Sequence, residues 1–172
     1  MSNPHTLMPL TFLYENPTFF LAWVLAVLVA LSVHEFSHAL AGHVLGDDTA
    51  KNMGRLTLNP LSHVDWWGLA LLILIGFGWG KPVPFNPYNL KFPRWGPSIV
   101  AAAGPFSNLI GVLVFGGILK ILLTSANLPI DNLLIQFLLF LVLINFILML
   151  FNLIPIPPLD GSKVLFSVFA SP

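Results

Sequence analysis

Residues 16–45 read NPTFFLAWVLAVLVALSVHEFSHALAGHVL, an apolar run whose first 18 residues, Asn16 to Val33, carry no charge. It then passes without a break into His34-Glu35-Phe36-Ser37-His38. Crossing a hydrocarbon core about 30 Å thick takes about 20 apolar residues as a helix, so the run spans a membrane only if it continues through its polar sequel. On such a helix His34 and His38 fall one turn apart on one face. A carboxylate in the middle of a membrane helix costs roughly 2.5–3.5 kcal/mol even on insertion scales, so Glu35 between two imidazoles marks a functional site. Chance is a poor explanation: with five His and two Glu in the chain, the H-E-x-x-H pattern is expected roughly 0.002 times.

The rest of the chain fits that start. Of 172 residues 56% are apolar and only 8% charged, against about 25% charged in an ordinary soluble domain, and the mean hydropathy is +0.87. Seven basic and seven acidic residues cancel, leaving no net field to attract nucleic acid. Without cysteine there is neither a disulfide framework nor a thiolate metal site. Two further charge-free stretches follow, Trp95 to Leu119 with 25 residues and Asn132 to Leu159 with 28. A fourth, Trp66 to Gly80, has 15 residues and four glycines, and reads as re-entrant or interfacial.

The predicted fold is therefore an all-α membrane protein of one membrane-embedded domain over 1–172. Its three transmembrane helices lie near 18–45, 96–122 and 132–155, with a re-entrant segment near 66–80. Five of the seven basic residues (Lys51, Arg55, Lys81, Lys91 and Arg94) lie between the first and second spans, which puts that connection in the cytosol. No Lys or Arg precedes the first run, so no removable signal peptide is expected. The proline-rich piece Lys81 to Pro97 reads as an extended connector. Its first part, Lys81 to Asn86, offers either a plain connector or an edge for strand addition by an extended peptide. Trp66, Trp67, Trp79 and Trp95 suit an aromatic belt. Gly104, Gly111, Gly116 and Gly117 suit close helix packing.

Two His leave a zinc site one protein ligand short. The other acids are Glu15, Asp47, Asp48, Asp65, Asp131 and Asp160. Glu15 and Asp131 fall on the far side of the bilayer, while Asp47 and Asp48 follow Gly46 in what reads as a polar turn. Asp160 follows the third span in Asn152-Leu153-Ile154-Pro155-Ile156-Pro157-Pro158-Leu159-Asp160. Backbone broken in this way at membrane depth is tolerated mainly where it lines a cavity. Asp160 is thus the expected third ligand. A shared metal also requires Trp66 to Gly80 not to span, since a fourth crossing would carry Asp160 to the wrong side.

Three separated pieces now resemble the site-2 protease family of intramembrane zinc metalloproteases. They are His34-Glu35-Phe36-Ser37-His38, Ala103-Gly104-Pro105-Phe106-Ser107-Asn108, and Asn152 through Asp160-Gly161. A fourth, Gly54-Arg55-Leu56-Thr57-Leu58-Asn59-Pro60 with His63 and Asp65, looks like the loop of the compact prokaryotic branch. The resemblance implies a three-helix core that cleaves membrane-spanning helices of other proteins. One zinc per chain would be held by His34, His38 and Asp160, with a zinc-activated water as nucleophile and Glu35 as general base. It implies for Asn152 a role in positioning substrate or stabilising the oxyanion. It further implies a multi-pass protein of a prokaryotic cell membrane, its active site toward the cytosol. A transmembrane protein as substrate and the bilayer are the expected partners; the oligomeric state stays open.

Other residues keep two readings. Asn108 either hydrogen-bonds an active-site helix or orients a ligand. His63 and Asp65 either close the cytosolic mouth as outer support or form a structural turn. Asn145, seven residues before Asn152 and on the same helix face, reads as an interhelical hydrogen bond, and His43 as a plain interfacial residue. The chain leaves no room for a PDZ or CBS domain and ends 11 residues after Gly161, which fits a minimal form or a truncated chain. The rival functions are a membrane metal-binding or transport protein, a haem-binding redox subunit, which would usually place single His on facing helices, and an inactive scaffold of the same family. A transporter would show matching broken helices in two halves, and the intact Glu35 speaks against a dead scaffold.

Overall fold

The computed structural model describes residues 13–169. Three long apolar helices dominate it: α1 Pro17–Val44, α4 Gly96–Thr124 and α5 Leu133–Leu153, each long and apolar enough to cross a membrane. The expected spans stand, with ends shifted by one or two residues. Between and after them come the short helices α2 Thr49–Asn52, α3 Trp66–Ile75 and α6 Asp160–Phe169 and two 3-10 turns, Pro60–Ser62 and Pro87–Asn89. There is no strand among the described residues, only an isolated antiparallel bridge between Val64 and Gly80.

Local chemistry explains the ends. Asn16 caps α1 by accepting from Phe19 N–H at 3.0 Å, with Pro17 at the first helical position, where its missing N–H costs nothing. Beyond α1, Gly46 takes φ +106° with Asn89 O close beside it, a conformation that favours glycine. Asn132 caps α5 in the same way. Ile154 is extended, as a residue before proline prefers, so α5 stops and the chain turns into α6.

The segment read as re-entrant does turn back. Helix α3 has 10 residues, about 15 Å of rise and half a bilayer core. Gly76 then takes φ +78°, and the chain returns until Gly80 pairs with Val64. Gly68 and Gly78 pack backbone against backbone inside this hairpin, leaving no space for a Cβ on either. Trp66, Trp67 and Trp79 remain exposed, as does Trp95 near the start of α4, in keeping with an aromatic belt.

The core lies at one end of the three-helix set, where Ala26 of α1 packs against Ile135, Leu138 and Leu141 of α5 and Leu119 of α4. Phe19 meets Phe140 edge-on there at 4.6 Å. Small alanines let α1 and α5 approach. Toward the other end, larger residues such as Leu31, Ile147 and Phe151 instead line a cavity. The glycine stripe on α4 is only half used: Gly111 abuts the Asn145 side chain, while Gly116 has one atom at 4.0 Å and Gly117 nothing within 4 Å. Gly116 thus makes only an ordinary contact with Val142 of α5, and the close-packing expectation fails at Gly117, which faces open space.

Candidate metal centre

His34 and His38 sit on the buried face of α1, one turn apart, with ring centroids 4.6 Å apart. Asp160, at the first position of α6, brings Oδ2 to 3.3 Å from His34 Nε2 and 3.0 Å from His38 Nε2. The two Nε2 atoms are 3.0 Å apart. All three residues are buried, and they form the one such cluster of potential metal ligands among the described residues. A tetrahedral ion with ligands at about 2.0 Å requires ligand atoms about 3.3 Å apart, so the spacing fits zinc.

The protonation pattern fits as well. His34 Nδ1–H donates to Asn108 Oδ1 at 2.6 Å, and His38 Nδ1–H donates to the Val100 carbonyl at 2.7 Å. In a neutral imidazole that leaves each Nε2 as a lone pair. With both imidazoles neutral, two lone pairs and a carboxylate oxygen face one another, a donor set that a metal cation, or a proton in its absence, holds together.

Outer contacts orient each of the three side chains. Asn108 Nδ2 donates to Asn145 Oδ1 at 2.8 Å, and Asn145 Nδ2 donates to the Leu141 carbonyl at 2.7 Å. One polar chain thus runs from the His34 ring to the backbone of α5. The expected interhelical role of Asn145 is found here. Val100 lies five residues before Pro105 on α4, and the carbonyl that the proline leaves without a ladder N–H is that of its neighbour Ala101. Lys163 Nζ donates to Asp160 Oδ1 at 3.2 Å and lies 5.8 Å from the Phe85 ring centroid, leaving Oδ2 toward the imidazoles. A Cβ on Gly104 would overlap both imidazole rings, so that glycine makes room for the site itself. Replacing Asn108 by Ala strands two buried polar groups, each at about 1–3 kcal/mol, and should weaken zinc binding about 10–100-fold. A zinc titration against a chromophoric chelator measures that change.

Glu35 accepts at Oε2 from the Val83 N–H at 3.0 Å. It lines, with His34, His38 and Asp160, a cavity of about 730 Å³ whose walls come from α1, the re-entrant hairpin and α5. Asn152 also lines this cavity, with Nδ2 turned back to the Leu148 carbonyl at 3.0 Å. An amide nitrogen carries a second N–H, which that contact does not use.

Two candidates lie apart from the three ligands. His63 is fully buried under the connecting loop, its Nε2–H donating to Thr57 O at 2.7 Å and its Nδ1 facing Arg55. Asp65 caps α3 through Gly68 N–H at 2.9 Å and borders the cavity. His43 pairs with Asp48 at 2.5 Å, away from the site. Strand addition at residues 81–84 lacks donors: the N–H groups of Lys81 and Val83 are engaged, and the two prolines have none. Asp47, read as part of a plain polar turn, is instead 1% exposed. Burial alone would raise the pKa of Asp47, but hydrogen bonds from Thr49, Asn86 and Asn89 hold it below the usual carboxylate range. Burial lowers the pKa of Arg55, against the pull of the Glu35 charge.

The chain is 40% identical over 159 residues to "Putative zinc metalloprotease YwhC" of Bacillus subtilis, an alignment covering 90% of this chain and 72% of that relative. The chain belongs to peptidase family M50. The model of peptidase family M50 itself matches residues 113–171, a region that takes in Asn152 and Asp160. "Putative zinc metalloprotease Rip2" of Mycolicibacterium smegmatis is 34% identical over 78% of the chain, and its Mycobacterium tuberculosis counterpart 32% over 80%. This M50 chain spans 52% and 53% of the length of those two. No solved structure matches it. Membership of the site-2 protease family, expected from the motifs, therefore holds.

Proposed function

We propose that this M50 metalloprotease cleaves peptide bonds within or near membrane-spanning helices of other proteins. The observation that carries the reading is the convergence of His34, His38 and Asp160, with Glu35, on the wall of an apolar cavity between helices that can span a membrane. Zinc, when bound by the three ligands at one ion per chain, lowers the pKa of water to about 7 and polarises a carbonyl. Glu35 takes the proton of the attacking water and passes it to the departing amine. The second N–H of Asn152 is available to the developing oxyanion. Trp23, Leu31, Leu72, Phe77, Ile147 and Phe151 supply an apolar wall that suits a hydrophobic peptide.

A substrate helix shields its own peptide bonds, so it must unwind locally, and Gly, Pro or Asn near the cleaved bond lowers that cost. The basic residues of the connection between α1 and α4 support a site toward the cytosol, and the reading adopted is a prokaryotic cell membrane.

The test is proteolysis of a single-span substrate in liposomes by wild type, by chelator-stripped protein, and after zinc is restored. Cleavage is expected to disappear with the metal and return with it. A substrate carrying a Gly-Pro pair in its span should be cut about tenfold faster than a uniform Leu span. Cleavage that survives complete metal removal refutes the proposal.

A further inference from the structure

Between the re-entrant hairpin and α4 the chain passes the site as Lys81-Pro82-Val83-Pro84-Phe85-Asn86. Pro82 and Pro84 carry no N–H, so Val83 holds the one backbone donor from 82 to 84, and that donor is on Glu35 Oε2. Both ends of the segment are bolted down. The Lys81 N–H donates to His63 O at 2.8 Å, and its carbonyl accepts from Arg55 Nη2 at 2.5 Å. At the other end Asn86 N–H donates to Asp47 Oδ2 at 2.7 Å, while Asn89 Nδ2 donates to Oδ1 at 2.9 Å. The two anchoring side chains, Asp47 and Arg55, are 1% and 6% exposed, and His63, whose carbonyl is the third anchor, is 0% exposed. Proline at alternate positions narrows the backbone between those anchors still further.

A Glu side chain gives up about 1.5–2 kcal/mol of rotamer freedom when it is held still, and a catalytic group must be held to within about 0.5 Å. We propose that residues 81–86 form a strap that positions the general base, the Val83 N–H holding Oε2 and leaving Oε1 to take the proton. Asp47 and Arg55 are positioning residues acting through the strap. This rests on Glu35 being the base. The arrangement also accounts for a proline-valine-proline run beside the active site, since a further N–H there would offer the carboxylate a second, misaligned donor.

The experiment compares Val83→Pro, which deletes the N–H from an already proline-bounded segment, with Val83→Ala, which keeps it. The kcat of Val83→Pro is expected to lie at least about tenfold below that of Val83→Ala, with KM and zinc per chain alike. A second reading needs no cleavage. The chain has only Glu15 and Glu35, so 13C-glutamate labelling, with Glu35→Gln as the blank, isolates the Glu35 carboxylate band in the infrared. That band should move in Val83→Pro and stay in Val83→Ala. Where Val83→Pro fails to fold, Asp47→Asn takes its place and should lower kcat about tenfold at unchanged KM and zinc while moving the same band. Equal kcat across the compared variants overturns the strap and leaves the base in place. A Glu35→Gln chain that cleaves at the wild-type rate overturns both.

Discussion

Glu35→Gln should bind zinc as wild type does and lose about 10²–10⁴-fold in kcat, the range that general-base catalysis supplies. Three facts make the two readouts separable. Glu35 is not among the clustered ligand atoms, which come from His34, His38 and Asp160. Its Oε2 is engaged by the Val83 N–H, and a glutamine oxygen can still accept that bond, more weakly than a carboxylate. The substitution keeps size and removes only the capacity to take a proton, so the cavity and the ligand set should survive. Zinc per chain by mass spectrometry and single-turnover cleavage in the same preparation give both numbers. Turnover near wild type would remove Glu35 from the proton path.

Asp160→Asn should show the opposite pattern. Here the metal is lost, and activity with it. One of three ligands becomes a neutral amide, so affinity should fall by more than the roughly 10–100-fold that loss of an outer partner costs. The fold should hold, for a physical reason. In the wild-type chain His34 Nε2 and His38 Nε2 lie 3.3 and 3.0 Å from Oδ2, so that without metal a proton on an imidazole can pair with the carboxylate. An asparagine can instead turn an N–H toward these nitrogens and keep the three side chains joined by hydrogen bonds. The metal-free variant is therefore expected to unfold in detergent close to metal-free wild type. Zinc per chain after dialysis against a weak chelator decides the first point and thermal unfolding the second. Unchanged zinc would take Asp160 out of the ligand set.

Much of this protein is legible in its sequence because the relevant physics is local. A bilayer demands runs of about 20 apolar residues, and the spans read at 18–45, 96–122 and 132–155 agree with α1, α4 and α5 to within two residues. The i, i+4 spacing of His34 and His38 follows from helix geometry alone. Asp160 emerges from elimination, because so few acids are present and the bilayer assigns most of them to the wrong side or to a turn. The 15-residue, glycine-broken stretch is too short to cross, and it does turn back at Gly76.

Other features have no local signal. Asp47 reads as a turn residue, yet it anchors Asn86 from 39 positions away. Gly104 reads as helix packing, yet it makes room for two imidazoles. Lys163 is one turn beyond Asp160 on α6, and an i, i+3 search from the acid would have found it. The Val83 donor is a backbone group, which no residue type announces.

What the sequence alone determines is which segments leave water and which ionisable groups they carry inward, since both follow from transfer free energies and helix periodicity. Tertiary structure alone decides which partner meets which. Asn108 reaches His34 across 74 positions and Val83 reaches Glu35 across 48. Those meetings depend on how three helices and a connecting strap pack, and hydropathy and spacing do not encode the rotation and depth of one helix against another.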